Sequence, residues 1–245
     1  MTDQTPIIGQ HIVKSFDDEL NWLDNTIAEM GGLAEAQLAA AIDALVRRDA
    51  EKAAEIVEWD KRIDALEEEI NSFTVRVLAL RQPQASDLRI TVAALKSAGE
   101  LERIGDYAKN VAKRTITLAK TEPVGSAANS ISRMGTMVQG MIKNVLDAYV
   151  SRDWQRAEGV RLRDEEVDQI HTSLFRELLT YMMEDPRNIT ACTHLLFIAK
   201  NVERIGDHTT NIAEHIHFMV RGEEPETARV NEDLSSYTVV EPKTS

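Results

Sequence analysis

Hydrophobic residues recur at spacings of three and four along most of the chain, which is the period of an amphipathic helix. The first such stripe predicts a helix that runs to about Arg48, with Ser15 before it as a cap. Its members are Phe16, Leu20, Leu23, Ile27 and Met30. Because the same period continues through the rest of the chain, the sequence predicts an all-α protein.

A second and a third helix follow in the first half of the chain. The second ends at the segment Arg81–Gln84, where Pro83 interrupts the helical pattern. Its apolar stripe consists of Ala53, Ile56, Val57, Ile63, Leu66, Ile70 and Phe73. The third helix is expected from Leu88 to about Ala119.

The three-helix order restarts after the middle of the chain. Residues 121–128 include a proline, a glycine and several small side chains, which is typical of a connector. The segment AIDALVRRDAEKAAEI from Ala41 resembles VLDAYVSRDWQRAEGV from Val145 at an offset of 104 residues. We therefore predict six long helices in two tandem, sequence-related three-helix bundles, over 10–120 and 127–220, followed by a flexible C-terminal tail at 221–245.

Each half carries two pairs of carboxylates placed at nearly equal distances on either side of a proline. They are Asp60, Asp64, Glu102 and Asp106 around Pro83, and Asp164, Asp168, Glu203 and Asp207 around Pro186. If each proline marks the turn of an antiparallel helix hairpin, equal counts along the chain give equal heights along the two helices. We therefore predict that four carboxylates face one another across each hairpin.

Such a concentration of negative charge indicates a bound cation, because neighbouring like charges repel. The third helix of each half repeats the string Glu-Arg-Ile-Gly-Asp and adds an asparagine four residues later. Asn110 and Asn211 thus extend each row of oxygen ligands along one helix face. Oxygen ligands suit hard cations such as Mg²⁺, Mn²⁺ or iron. The eight carboxylates are the predicted metal ligands, with the two asparagines as further candidates.

Other interpretations of these residues stay open. The carboxylates could instead be paired with Arg62, Arg103, Arg204 or lysines of adjacent helices. Close approach of a neighbouring helix would explain Gly105 and Gly206, since a glycine within a helix costs about 1 kcal/mol relative to alanine. His208 is a peripheral ligand at best, because no Glu-x-x-His pair occurs at matching places in both halves.

The overall charge and composition narrow the class of protein. A formal charge of −13 at pH 7 opposes binding to nucleic acid, whose phosphates are neutralised by Lys and Arg. The one cysteine, Cys192, excludes an intramolecular disulfide and a cysteine-based zinc site. The chain opens without a secretory signal, and no apolar run approaches the roughly 18 residues of a membrane span. We expect a cytoplasmic protein that is not inserted in the membrane.

The sequence also weighs against a catalytic role. It contains no glycine-rich phosphate loop, Gly-x-Ser-x-Gly elbow or zincin helix. The alternative function is a carboxylate-bridged metalloenzyme built on a helical bundle, in which the metal centre activates water or an oxidant. A third interpretation is a bare scaffold that holds partners while its carboxylates remain solvated.

The duplicated motifs resemble those of the PhoU family. They are DKRID with ELERIGD in the first half and DEEVD with NVERIGD in the second, together with the turn RQPQASDLR. The similarity spans about His11 to Phe218. It implies a non-enzymatic, cytoplasmic negative regulator of phosphate uptake and of phosphate-starvation signalling. Its implied partners are the ATPase subunit of the phosphate ABC transporter and a sensor histidine kinase.

The resemblance further implies a homodimer and multinuclear iron or zinc on the facing carboxylates of both halves. The two motifs are not identical, however. Lys61 and Arg62 lie inside the first acidic pair, where the second pair has Glu165 and Glu166. This difference in local charge predicts unequal metal occupancy, with more metal in the second half.

Overall fold

The computed structural model of the protein describes residues 8–225 together with Ser235 and Thr238, with side chains from Phe16 onward. The described part is all-α, as predicted, and contains no strand. Its helices are α1 (Ile8–Arg47), α2 (Ala50–Arg81), α3 (Ala85–Leu118), α4 (Ala127–Ser151), α5 (Trp154–Glu184) and α6 (Ile189–Arg221), with a short 3₁₀ turn over Pro186–Asn188 before α6. None of these helices is long and apolar enough to cross a bilayer.

Most predicted helix boundaries in the first half are confirmed. The proline turn lies between α2 and α3, and the predicted connector separates α3 from α4. The cap assigned to Ser15 is wrong, because α1 already begins at Ile8 and Ser15 lies inside it. The helical period extends back through Ile8 and Ile12, which the stripe beginning at Phe16 left out. Most of the predicted tail at 221–245 lies outside the described residues.

The turn between the first two helices is built identically in both halves. Arg48 and its equivalent Arg152 adopt left-handed backbone with φ of 58° and 56°. The next residue caps the following helix, because the Asp49 side chain accepts from the backbone N–H of Lys52 and Asp153 does the same for Arg156. An aspartate at this position satisfies one of the free N–H groups of the helix start. The sequence repeat is therefore a structural repeat.

The three helices of each half pack against one another, and the halves meet through two antiparallel helix pairs. The α3–α6 pair forms the larger part of this interface and the α1–α4 pair the rest. In the described chain α2 touches only α1 and α3, and its equivalent α5 touches only the helices of its own half. Consequently α2 and α5, which carry the first acidic pair of each half, are the outer helices of the protein.

Matching contacts show that the halves are related by approximate two-fold symmetry. A Cβ on Gly31 of α1 would lie 2.2 Å from Leu146 Cδ2 on α4. A Cβ on the equivalent Gly135 would lie 2.8 Å from Cγ1 of Ile42, which is the equivalent of Leu146. The absence of a side chain at both glycines lets α1 and α4 approach closely. One hydrophobic core accordingly runs through both halves.

Candidate functional site

The first set of predicted carboxylates converges between α2 and α3. Asp60 is only 3% exposed, whereas Asp64, one helical turn further along α2, is exposed, and Glu102 and Asp106 are half-buried. Burial and the neighbouring Asp60 raise the pKa of Asp64. Burial, then Asp106 and Asp64, raise the pKa of Glu102. These mutual effects place the four carboxylates within electrostatic reach of one another across the hairpin, at the matched heights that equal residue counts predict.

A lysine that the sequence analysis did not assign lies among these carboxylates. Lys109 on α3 forms ion pairs with Asp60 Oδ2 and Asp106 Oδ1. Although burial lowers the pKa of Lys109, its hydrogen bonds to Asp106 and Asp60 raise it overall. The ammonium group therefore supplies positive charge inside the first cluster, which comprises Asp60, Asp64, Glu102 and Asp106.

Beneath Lys109, two buried oxygens approach the helix backbone at Gly105. Asp60 Oδ1 and Gln37 Oε1 are buried and have no hydrogen-bond partner among the described residues. A Cβ on Gly105 would lie 3.2 Å from this Asp60 oxygen, 3.3 Å from the Gln37 oxygen and 2.9 Å from Ile63 Cδ1. Gly105 is thus required by the approach of the Ile63, Asp60 and Gln37 side chains and not by contact with a neighbouring helix backbone.

Replacing Gly105 by alanine is expected to destabilise the protein by about 1–2 kcal/mol, because the added methyl group displaces Asp60, Gln37 and Ile63. The matched control is Gly99 on the same helix, where a Cβ would meet nothing within 4 Å. There the change to alanine should stabilise the helix by about 0.5–1 kcal/mol. Urea unfolding of the two variants measures both values. Equal stabilisation of both would contradict the contact at Gly105.

The second cluster, between α5 and α6, is more deeply buried. Asp164, Asp168 and Glu203 are 3%, 0% and 0% exposed, while Asp207 is half-buried. A Cβ on Gly206 would lie 2.9 Å from Asp164 Oδ1, which repeats the relation between Gly105 and Asp60. The carboxylate of Glu203 also forms an ion pair of 2.7 Å with Lys200. Both halves therefore hold an aspartate of the outer helix against the glycine of the repeated motif.

The alternative that the carboxylates pair with basic side chains is correct in part. A lysine fills this role in the first cluster, but it is Lys109, on the same helix as Asp106. Arg62 instead pairs with Glu29 at 2.8 Å, and the Arg204 guanidinium lies over the Tyr107 ring at 5.6 Å. Within the described residues Arg103 makes no ion pair.

The additional candidate ligands lie mostly elsewhere. The Asn211 side chain donates to Glu100 Oε2 on α3 at 3.1 Å, and His208 Nδ1 lies 2.5 Å from the same oxygen. The His208 ring also stacks on Tyr107, its equivalent in the first half, with centroids 5.4 Å apart. Both residues thus belong to the interface between the halves. Asn110 is half-buried on α3, and the metal-binding role of both asparagines stays a prediction.

The donor chemistry of the two clusters suits a hard cation, since carboxylate and amide oxygens are the ligands that such ions prefer. Asp60 Oδ1 and Gln37 Oε1, which are buried and accept no hydrogen bond, are further oxygen atoms of this kind in the first half. In the part of the chain that the structure describes, no group of three or more His, Cys, Asp or Glu side chains is arranged to hold an ion. Metal binding by the eight carboxylates therefore remains a prediction.

Two residues of the first cluster were missed, and each had a detectable signal. Gln37 is a fully buried polar residue in the apolar stripe of α1, and the second half has Met141 at the same repeat offset. Lys109 follows Asp106 by three residues, a spacing that brings two side chains together on a helix. The second half has Thr210 at that position. Comparing the two halves position by position would have identified both.

The single cysteine offers no reactive group. Cys192 is fully buried in the core, and burial raises the pKa of its thiol. Thiolate character and access are what make a cysteine reactive. The structure accordingly gives no support to a nucleophilic role for this residue.

Comparison with known proteins identifies extensive similarity. The PhoU domain matches twice, over residues 27–115 and 131–216. The chain is 54% identical to the phosphate-specific transport system accessory protein PhoU homolog of Caulobacter vibrioides, over 93% of this chain and 99% of that protein. It is 48% identical to the homolog of Rhizobium meliloti, over 92% of this chain and 95% of that protein.

Solved structures share the fold. The crystal structure of PhoU from Pseudomonas aeruginosa matches with a TM-score of 0.81 and 40% identity, covering 85% of this chain and all of that one. The phosphate transport system regulatory protein PhoU from Streptococcus pneumoniae matches with a TM-score of 0.80 and 29% identity, covering 86% of this chain and all of that one. Both the helical architecture and its duplication therefore recur in these proteins.

Proposed function

The chain belongs to the PhoU family, and we propose that it restrains phosphate uptake and phosphate-starvation signalling by binding two partners. These are the ATPase subunit of a phosphate ABC transporter and a sensor histidine kinase, both met at the cytoplasmic side of the membrane. The observation that carries the proposal is the near full-length similarity to accessory proteins of phosphate-specific transport. In this proposal the protein is a regulator and catalyses no reaction.

The outer helices supply a surface for such partners. α2 has no contact with the other half in the described chain, and its outward face is rich in carboxylates. The exposed acidic residues of α2 are Glu51, Glu55, Glu58, Asp64, Glu68 and Glu69. Complementary charge accelerates encounter and selects partners more than it raises affinity. We expect this face to engage a basic surface, with binding that weakens as salt concentration rises.

The two carboxylate clusters are proposed metal sites. Their residues are Asp60, Asp64, Glu102 and Asp106 in the first and Asp164, Asp168, Glu203 and Asp207 in the second. The candidate ions are iron or zinc, in the multinuclear centre that the family resemblance implies, and Mg²⁺ or Mn²⁺. A bound cation would neutralise the crowded carboxylates and so change the charge that a partner meets.

Metal analysis of protein purified without chelator should show bound metal, and the second cluster should hold more of it than the first. The comparison is between Asp106→Ala and Asp207→Ala, each of which removes one ligand from one cluster. Loss of metal should be larger for the second variant. Equal losses would contradict unequal occupancy. Lys61 and Arg62, whose charge suggested the difference between the clusters, are exposed and pair with Glu58 and Glu29.

Deletion of the gene is the direct test of the regulatory function. Phosphate accumulation and the output of a kinase-dependent reporter should both rise, and the wild-type gene should restore them. A gene carrying Asp64→Asn and Asp106→Asn should restore them less well. The matched control is Asp43→Asn, which removes an exposed carboxylate that pairs with Arg47 on α1. If neither output rises after deletion, the proposed function is wrong.

Self-association is part of the same proposal. We expect a homodimer, as the family resemblance implies, and sedimentation velocity across a range of concentrations measures it. A monomer at every concentration would contradict this expectation and leave the proposed partners unaffected.

A further inference from the structure

The first cluster already contains a cation that belongs to the protein. Lys109 Nζ binds one oxygen of Asp60 on α2 and one oxygen of Asp106 on α3. The Asp60 side chain is 4% exposed and that of Lys109 is 20% exposed, so the Asp60–Lys109 pair is largely shielded from water. A buried carboxylate is costly unless a positive group or several donors accompany it. Among the described residues Lys109 is the only cation that contacts Asp60.

We propose that Lys109 is a tethered counter-ion of the first cluster, and that a divalent cation binds there only by displacing the Lys109 ammonium from Asp60 and Asp106. The inference rests on the proposed metal binding and adds a competition within it. Both carboxylates would be ligands of the ion, and each already accepts a hydrogen bond from Lys109 through one oxygen. The ammonium and the metal therefore compete for the same atoms.

The geometry on the far side of Asp60 explains why displacement is feasible. The second oxygen of Asp60 has no donor in the described structure, and Gln37 Oε1 is likewise without one. Both lie beside Gly105, where a Cβ would be 3.2 Å from the Asp60 oxygen and 3.3 Å from the Gln37 oxygen. An ion that replaces the ammonium on one oxygen of Asp60 would find the other oxygen of the same carboxylate without a competing donor. Lys109 would move to solvent, which its partly exposed position at the surface of α3 allows.

The second half provides the substitution that tests the competition. The residue equivalent to Lys109 is Thr210, which carries no charge and whose hydroxyl donates to the backbone carbonyl of Asp207 at 2.7 Å. Threonine is therefore tolerated at this position of the repeat. Lys109→Thr removes the counter-ion with a residue that the same fold already uses. Lys109→Gln is a second variant, which removes the charge and retains a side-chain donor for Asp60.

The experiment measures Mn²⁺ binding to the full chain by titration calorimetry. All variants carry Asp207→Asn, which weakens the second cluster so that the titration reports the first. Lys109→Thr and Lys109→Gln are each expected to lower the Kd for Mn²⁺ by at least about tenfold, because they remove a positive charge a few ångströms from the ion. Lys109→Arg should leave the Kd close to that of the parent protein. Lys113→Thr, an exposed lysine further along α3, should also leave it unchanged.

Thermal unfolding gives a readout that is independent of metal affinity. Without metal, Lys109→Thr should lower Tm by about 5 °C, because Asp60 is left buried without its cation. Saturating Mn²⁺ should raise the Tm of this variant by more than it raises the Tm of the parent protein. The Lys109→Gln variant keeps the test valid if the threonine variant fails to fold.

The Kd measurements distinguish a failure of the proposed role of Lys109 from a failure of metal binding itself. Equal Kd values in the lysine, threonine and glutamine proteins would overturn the role of Lys109 and leave metal binding intact. Absence of Mn²⁺ binding in every protein, including the wild-type protein with its intact second cluster, would overturn metal binding and the competition with it. A lower Kd in Lys109→Thr and Lys109→Gln alone supports the tethered counter-ion.

Discussion

Replacing Gly31 by alanine should destabilise the protein by about 2 kcal/mol, whereas the same change at the adjacent Gly32 should stabilise it by about 0.5–1 kcal/mol. The two glycines follow one another in α1 but face different surroundings. A Cβ on Gly31 would lie 2.2, 2.7 and 3.0 Å from three atoms of Leu146, whereas one on Gly32 would meet nothing within 4 Å. Urea unfolding monitored by circular dichroism measures both changes.

The sign difference arises because alanine lowers the entropy of the unfolded chain at both positions, but only at Gly31 must a neighbouring side chain, Leu146 of α4, give way. A second substitution, Leu146→Ala, removes the atoms that the new methyl group would meet. We therefore expect Gly31→Ala to cost much less in the Leu146→Ala background, which a double-mutant cycle detects. If both glycine variants were stabilised to the same degree, the close contact between α1 and α4 would be refuted.

The stability of the protein should fall as pH is lowered from 6.5 towards 4, and His215 should account for about 2–3 kcal/mol of that loss. His215 lies on α6 against α3, with its ring Nδ1 3.5 Å from Ser97 Oγ. Burial lowers the pKa of His215 to about 4, with Glu100 opposing this shift and Lys96 adding to it. The folded protein therefore keeps this ring neutral at pH values where the unfolded chain binds a proton.

The direction follows from this difference in proton binding. Above pH 6.5 the His215 ring is neutral in both the folded and the unfolded state, and its full contribution to the free energy of unfolding is present. Below pH 6.5 the unfolded state takes up a proton first, so stability decreases until the folded ring also titrates near pH 4.

A second titratable group in the same interface, Glu100, acts at lower pH. Burial raises the pKa of Glu100, but hydrogen bonds from His208 and Asn211 lower it overall.

His215→Gln should flatten the dependence of unfolding free energy on pH between 6.5 and 4.5. The matched variant is His217→Gln, two residues further along α6, where the ring contacts Trp154 edge-on with centroids 5.5 Å apart. This variant should keep the slope of the wild-type protein. Chemical denaturation at a series of pH values gives both curves. Parallel curves for wild type and His215→Gln would show that this histidine does not carry the effect.

Lys61, Arg62 and Lys109 show how much helix geometry alone predicts about which basic side chain lies in the first cluster. Lys61 and Arg62 follow Asp60 by one and two residues, and side chains at those spacings do not share a helix face. The structure accordingly turns both away from the cluster, where they pair with Glu58 and Glu29. Lys109 follows Asp106 by three residues and does share its face. The same spacing of three also relates Lys61 to Asp64, so helix geometry alone did not choose between the two lysines, and only the structure places Lys109 in the cluster.

The facing carboxylates were predictable because helix rise per residue is constant, so counts from the proline turn give heights on both helices. Their individual environments were not predictable in this way. Asp60 is 3% exposed while Asp64, on the same face of α2, is exposed. Burial depends on how far α1 covers the gap between α2 and α3. That coverage brings Gln37 of α1 and Asp60 of α2 to the same residue of α3, Gly105, a convergence of three helices that no local spacing encodes.

The sequence by itself determined the helices, their turns, the duplication and the relative heights of the acidic residues, since each follows from a local period or a count along the chain. Only the tertiary structure decided which faces meet between the halves. The pairing of Gly31 with Leu146, the stacking of Tyr107 on His208 and the burial of His215 all depend on the antiparallel packing of α1 with α4 and α3 with α6. These contacts join residues far apart in the chain, where the hydrophobic period specifies that a face is buried but not what covers it.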